Sequence, residues 1–250
     1  MDVAAYLSRI RLSGEIEPTL VNLEMLQRAH LTWVPFENLH VFHRRGVETT
    51  PEWSVPKIVD RGRGGWCFEL NGAFGTLLEA LGYSVKRLGA VVLFGEIPAF
   101  PVPDHLTLQV QLDRPYLVDV GFGDSFTKPL PLDAEGPHDG GIGQYGFDFD
   151  GDETTLLAFE AAGTPVPQYR FEPVLRVPTD FDHSSRKLQT QPTSRWTETP
   201  FATRLLDGGP DRVTLLSDRI KFRHAGTWTE EPVAESEWAE MLGRWFDLTP

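Results

Sequence analysis

The sequence predicts an α+β fold on three observations. Apolar residues recur at helical spacing through the first third, strand-like alternation takes over between 84 and 122, and a mixed final part ends in one amphipathic helix. At 250 residues the chain exceeds one compact core of typical size, so one large domain or two to three smaller ones are expected. A hydrophobic content of 40% with 24% charged residues is that of an ordinary soluble globular protein.

Taken in order, Thr19 is placed to cap a helix whose apolar residues include Leu20, Leu23, Leu26 and Trp33, and Pro35 stops it. Ser54 precedes Val55, Ile58 and Val59, a short second amphipathic piece. Leu70, Phe74, Leu77, Leu78 and Leu81 mark the buried face of a third helix, which Gly82 ends. The period then changes. Residues 85–94 are β-branched and strand-like, 105–112 alternate, Asp113-Arg114-Pro115 makes a turn, and 116–122 returns as the partner strand. Further strands are expected at 145–149, 154–160, 168–177 and 212–223, with Asp150-Gly151 as a hairpin turn. Segment 128–143 reads as a loop and 178–210 as irregular. A closing helix over 235–246 carries Trp238, Leu242 and Trp245 on one side.

Composition removes several function classes. No apolar run approaches membrane-spanning length, and the first residues lack a basic segment followed by a hydrophobic one, so a cytoplasmic protein with no membrane partner is expected. A net charge of −13 argues against a nucleic-acid or anionic-membrane surface. It leaves room for an anionic cofactor, which needs only a local basic patch or a helix start.

Cys67 is the single cysteine. It cannot close an intrachain disulfide, and one thiol makes a poor metal site, so no metal is expected. It is either a small buried hydrophobe or a nucleophile. Its place after Gly64-Gly65-Trp66, at the start of the third helix, favours the nucleophile, because a helix N-terminus stabilises the reactive thiolate. A nucleophilic thiol needs a base, and the base an orienting group. His105 opens one strand of the 105–122 hairpin and Asp119 lies near the end of the other. With the turn near 113–114, residue 119 should oppose one near 108, so reaching His105 requires a bulge or an offset. The plainer explanations are a surface or capping histidine, with six other histidines competing (30, 40, 43, 138, 183 and 224), and Asp124 as a rival carboxylate. Asp124 follows a glycine-bearing stretch and reads as a loop residue. Asp119 lies among Leu117, Val118, Val120 and Phe122, and a carboxylate buried there must be paired or hydrogen-bonded.

Four segments carry a resemblance to a known family: Pro35-Phe36-Glu37-Asn38-Leu39, Arg63-Gly64-Gly65-Trp66-Cys67-Phe68-Glu69, Val118-Asp119-Val120-Gly121-Phe122-Gly123 and Gln189-Thr190-Gln191-Pro192-Thr193-Ser194-Arg195-Trp196. In that order they resemble the arylamine N-acetyltransferases. The resemblance implies a helical bundle (1–83) carrying the nucleophile, a β-barrel-like domain (84–190) carrying His and Asp, and an α/β lid (191–250), around a thiol-protease-like catalytic core. It also implies a catalytic triad of Cys67, His105 and Asp119.

By the same resemblance, acetyl-CoA is the acyl-donor cosubstrate and a small arylamine or hydrazine the acceptor, and transfer is ping-pong through an acetyl-cysteine. Phe122 and Gly123 fall at the acceptor pocket with Trp196 nearby, and Arg63 and Glu37 look like structural ion-pair members. Core packing is the plainer explanation for either aromatic ring. The chain departs from the family pattern at Asp104, where Thr is common, and at Trp196, where Phe is usual. Asp104 bears on the protonation of His105 and on acceptor choice, and Trp196 should narrow the pocket. Two alternative functions share the same thiol: an amide synthase that releases a polyketide as a macrolactam, with an acyl-carrier protein as partner, and a cysteine hydrolase.

Overall fold

Thr19 begins the best-defined helix of the N-terminal part, its hydroxyl accepting from Asn22 N at 3.3 Å. The computed structural model describes residues 1–93, 102–160, 163–191, 194–206 and 211–250. That helix, α2 (Leu20–Trp33), stops as expected, because Val34 is driven to extended geometry ahead of Pro35. A shorter α1 (Val3–Arg9), capped by Asp2, precedes it and was not singled out in the sequence. After β1 (Phe36–Glu37) and α3 (Leu39–Phe42) comes α4 (Pro51–Val59). The expected start at Ser54 is corrected here: Thr50 is the cap residue and Pro51 the first helical residue, where its missing N–H costs nothing.

The central helix is α5 (Cys67–Ala80), buried through most of its length. Leu70, Phe74, Leu77 and Leu78 are all 0% exposed, and each contributes about 1.5–3 kcal/mol of apolar burial. Glu69 reaches back to Trp66 N at 3.3 Å and satisfies one of the donors left open at the helix start. Gly82, at φ +89°, supplies the left-handed turn into the first long strand.

Among the described residues, eight strands then form one antiparallel sheet: β2 (Ser84–Val92), β3 (His105–Gln111), β4 (Pro115–Val118), β5 (Leu130–Pro131), β6 (His138–Asp139), β7 (Gln144–Asp150), β8 (Glu153–Phe159) and β9 (Pro165–Leu175). Their order is β5-β4-β3-β2-β9-β8-β7-β6. The sheet curls until its edges meet, with Thr127 N donating to Gly140 O at 2.7 Å, so it is a nearly closed barrel around Leu88, Leu117, Leu156 and Tyr169. Two expectations change. Segment 128–143 carries β5 and β6, two-residue strands too short to show alternation, and these sit at the seam. Strand β4 ends at Val118 instead of running to 122. Residue 94, the expected end of β2, lies outside the described residues, as do Pro192 and Thr193 of the fourth motif.

The remainder contains α6 (Asp182–Thr190), α7 (Arg195–Glu198), β10 (Ala202–Leu205), β11 (Arg212–Leu215), β12 (Arg219–His224), β13 (Thr227–Pro232) and α8 (Trp238–Phe246). Segment 178–210 is therefore not irregular throughout. Helix α6 is polar along nearly its whole length, which hides the apolar period. The single strand expected over 212–223 is two, folded at Ser217-Asp218 so that Leu215 faces Ile220. The closing helix begins as a 3-10 turn at Glu235–Glu237. Strand β13 is exposed throughout, which left no buried face to read. These strands join β1 in a second antiparallel sheet, β1-β10-β11-β12-β13, packed on Leu242 and Phe246 of α8.

Candidate active site

Cys67 is the first residue of α5, 4% exposed, with its Sγ 3.9 Å from the Asp104 carbonyl oxygen. His105 is the first residue of β3 and Asp119 the first after β4; both are buried. Their side chains meet: His105 Nε2 donates to Asp119 Oδ2 at 2.6 Å. The ladder explains how. Leu108 pairs with Val118, so position 119 would oppose Thr107, with His105 one same-face residue further on. No bulge is needed, because β4 leaves the ladder after Val118 and the backbone carries Asp119 across the remaining offset.

Each Asp119 oxygen accepts two hydrogen bonds. Oδ1 takes Asn71 Nδ2 and Gly121 N, both at 2.8 Å, and Oδ2 takes His105 Nε2 and, at 3.1 Å, the Tyr169 hydroxyl. Burial pushes the Asp119 carboxyl up, but the His105 charge and these donors outweigh it and hold the group below its usual value. Burial likewise works to lower His105. The Asp119 charge and hydrogen bond, with a hydrogen bond to Cys67, prevail and raise it. Both directions favour the charged forms of the two partners. With Nε2 committed to Asp119, Nδ1 is the nitrogen that faces the thiol.

Asn71, which the sequence reading did not single out, organises this constellation. It lies one turn beyond Cys67 on α5, donates to Leu106 O at 2.6 Å as well as to Asp119, and accepts from Val120 N at 2.9 Å. Helix, strand β3 and the 119–120 segment are thereby held in one place. A buried amide four residues after the cysteine was the available signal. Tyr169 had no comparable signal, since its position depends on strand β9 crossing the barrel.

A cavity of about 30 Å³ opens between Cys67 and His105 on one side and Phe36, Phe122, Arg195 and Trp196 on the other. Phe122 packs its ring against His105 at 5.3 Å between centroids, and Trp196 stands edge-on to Phe36 at 5.9 Å and to Trp66 at 5.6 Å. Gly121 lines the cavity; Gly123, expected there, lies just behind Phe36. Only glycine fits at 121, where a Cβ would come within 2.8 Å of the Cys67 Cα. Asp104 lines the cavity too, its carboxylate accepting from Val92 N at 2.9 Å, and burial pushes its carboxyl up. Arg63 and Glu37 approach to 4.0 Å, and Glu37 shares its neighbourhood with the closer Lys57–Glu69 pair at 2.7 Å. Asp124 points away from His105 to two arginines of the second sheet.

A family model described as N-acetyltransferase matches residues 19–249. An arylamine N-acetyltransferase of Mycolicibacterium smegmatis is 36% identical over 203 residues, covering 78% of this chain and 74% of that protein. The chain belongs to the arylamine N-acetyltransferase family. An arylamine N-acetyltransferase / N-hydroxyarylamine O-acetyltransferase of Salmonella typhimurium is 31% identical over 91% of this chain and 81% of that protein. The solved structure of Mycobacterium marinum arylamine N-acetyltransferase in complex with CoA superposes with a TM-score of 0.90 at 31% identity, over 98% of this chain and 92% of that one. The family is one of acyltransferases, and the predicted resemblance stands. Among the described residues no helix is long and apolar enough to cross a membrane.

Proposed function

We propose that the protein moves an acetyl group from acetyl-CoA to the nitrogen of an arylamine or arylhydrazine, in two steps through an acetyl-Cys67 intermediate. Cys67 thiolate attacks the thioester carbonyl carbon, the C–S bond to CoA breaks, and the leaving sulfur takes the proton of the His105 imidazolium. The acceptor nitrogen then attacks the acetyl carbonyl and gives its proton to His105, and the Cys67 sulfur departs as thiolate. Asp119 orients the imidazole and stabilises its charged form. Backbone N–H groups near Cys67, at the start of α5, would bind the oxyanion. Phe122 and Trp196 wall the acceptor side. In this reading the chain divides into a helical unit (1–83), a barrel unit (84–190) and a lid (191–250), and the core is thiol-protease-like.

The observation that carries the proposal is the 2.6 Å His105–Asp119 contact behind a cavity that His105 lines together with Cys67. The test is stoichiometric. Mixed with acetyl-CoA alone, the protein should release one CoA per chain and stop, and an arylamine should restart release in proportion to N-acetylated product. Steady CoA release without acceptor would point to a hydrolase, and no release at all would end the transferase reading.

A further inference from the structure

The segment from Asp119 to Asp124 is anchored at both ends, and the second anchor is outside the catalytic constellation. Arg212 of β11 is 2% exposed, and its Nε lies 3.1 Å from Asp124 Oδ1. Arg223 of β12 donates from Nη1 to both Asp124 oxygens, at 2.7 and 3.0 Å. Arg212 also donates to Thr203 Oγ1 of β10 at 3.1 Å, which fixes it to the second sheet. A guanidinium buried this deeply needs a carboxylate beside it, and Asp124 is the one its ion-pair contacts supply.

Between the two anchors stand Gly121 and Phe122, the residues that cover the sulfur and the imidazole. Gly121 has no room to move toward Cys67, and Phe122 rests on His105 and on Tyr169, whose ring centroid is 5.0 Å away. Gly123, at φ +95°, gives the backbone its turn from that wall to the arginines. The Asp119 end is held by Asn71, His105 and Tyr169, none of which touches Asp124. The near end also holds the wall, through Gly121 N on Asp119 Oδ1 and the Phe122 ring on His105 and Tyr169, and the Asp124 ion pairs add a second hold from the far end.

We infer that Arg212 and Arg223, acting through Asp124, set the position of the Gly121–Phe122 wall, so that the second sheet determines how the acceptor is seated against the acyl-sulfur. This inference rests on the acetyl-transfer reading above. Asp124 is a positioning residue in this account: it touches neither the sulfur nor the imidazole, and it acts on the step that needs the wall.

The experiment separates the two half-reactions in the full-length protein. Asp124→Asn keeps the size of the side chain and removes its charge. The rate of first CoA release should change by less than about twofold, whereas the KM for an arylamine such as aniline should rise about tenfold, and Asp124→Glu should restore most of the loss. Arg223→Gln, which removes only the less buried arm, should give a smaller rise in the same constant, and it serves as the working variant if Asp124→Asn does not fold. An unchanged acceptor KM in a folded variant, or equal losses in both half-reactions, overturns the inference while leaving the transferase reading intact. Wild-type protein that releases no CoA would instead remove the reading beneath it.

Discussion

Two buried carboxylates flank the first turn of α5, and their surroundings push them in opposite directions. Glu69, within the helix, accepts from Lys57 Nζ at 2.7 Å, Trp53 Nε1 at 3.0 Å and Trp66 N at 3.3 Å. Asp119, arriving from the barrel, accepts four hydrogen bonds, two on each oxygen. Burial raises Glu69 and wins over Lys57, with the neighbouring Glu37 pushing the same way. Burial also acts on Asp119, but the His105 charge and the denser set of donors hold it low. Donor number and a neighbouring carboxylate set the two opposite directions. The cation differs as well: Lys57 of α4 is fully buried, whereas His105 lines the cavity.

On the proposed reading the Asp119 side is chemical and the Glu69 side structural, and substitutions should separate them. Asp119→Asn should lower turnover by roughly three to four orders of magnitude in a protein that still folds. Near-full activity in the folded variant would remove the orienting role. Lys57→Met leaves Glu69 buried without its cation and should cost roughly 3–5 kcal/mol in urea unfolding, with turnover per folded molecule changed by less than about twofold. If instead activity collapses while stability holds, the division between the two sites is wrong.

Acid titration sharpens the contrast, because the two carboxylates carry opposite signs. Asp119 lies lower folded than unfolded, so its stabilisation is present above the unfolded value of about 3.9 and is lost as pH falls through the folded value. Glu69 lies higher when folded, so folding favours its protonated form. Its contribution weakens stability as pH rises from about 4.3 toward the folded value. Urea midpoints between pH 3 and 6 should therefore fall less steeply toward acid in Asp119→Asn and more steeply in Glu69→Gln. Parallel curves for the two variants would contradict the assignment. The smallest effect is expected at Asp104, whose carboxylate faces His105 but is bonded to Val92 N. Asp104→Thr should shift the acid limb of the pH–rate profile and retain turnover within about tenfold; an unshifted profile would leave Asp104 as a backbone brace only.

Cys67, His105 and Asp119 were legible because each violates its local pattern. A thiol opens a helix after two glycines, a histidine starts an apolar strand, and an acid interrupts a run of Leu and Val. Helices α2 and α5 and strands β2 and β3 were legible from apolar period. Strands β5 and β6 were not, since two residues have no period, and α6 was not, since its polarity hides one. Asn71 follows the cysteine motif by two residues, but its three partners come from two other parts of the chain. The Asp124 anchor was further out of reach. Its arginines follow 88 and 99 positions later, in strands whose pairing no local spacing encodes.

The claim on which the rest depends is that the Cys67 sulfur takes the acyl group. Intact-mass measurement of the protein after acetyl-CoA and without acceptor, with peptide mapping, tests it directly. The account predicts a gain of one acetyl group, located on Cys67, present at reduced rate in Asp119→Asn and lost on adding an arylamine. A protein that turns over yet keeps its original mass, or that carries the acetyl group on another residue, would contradict it.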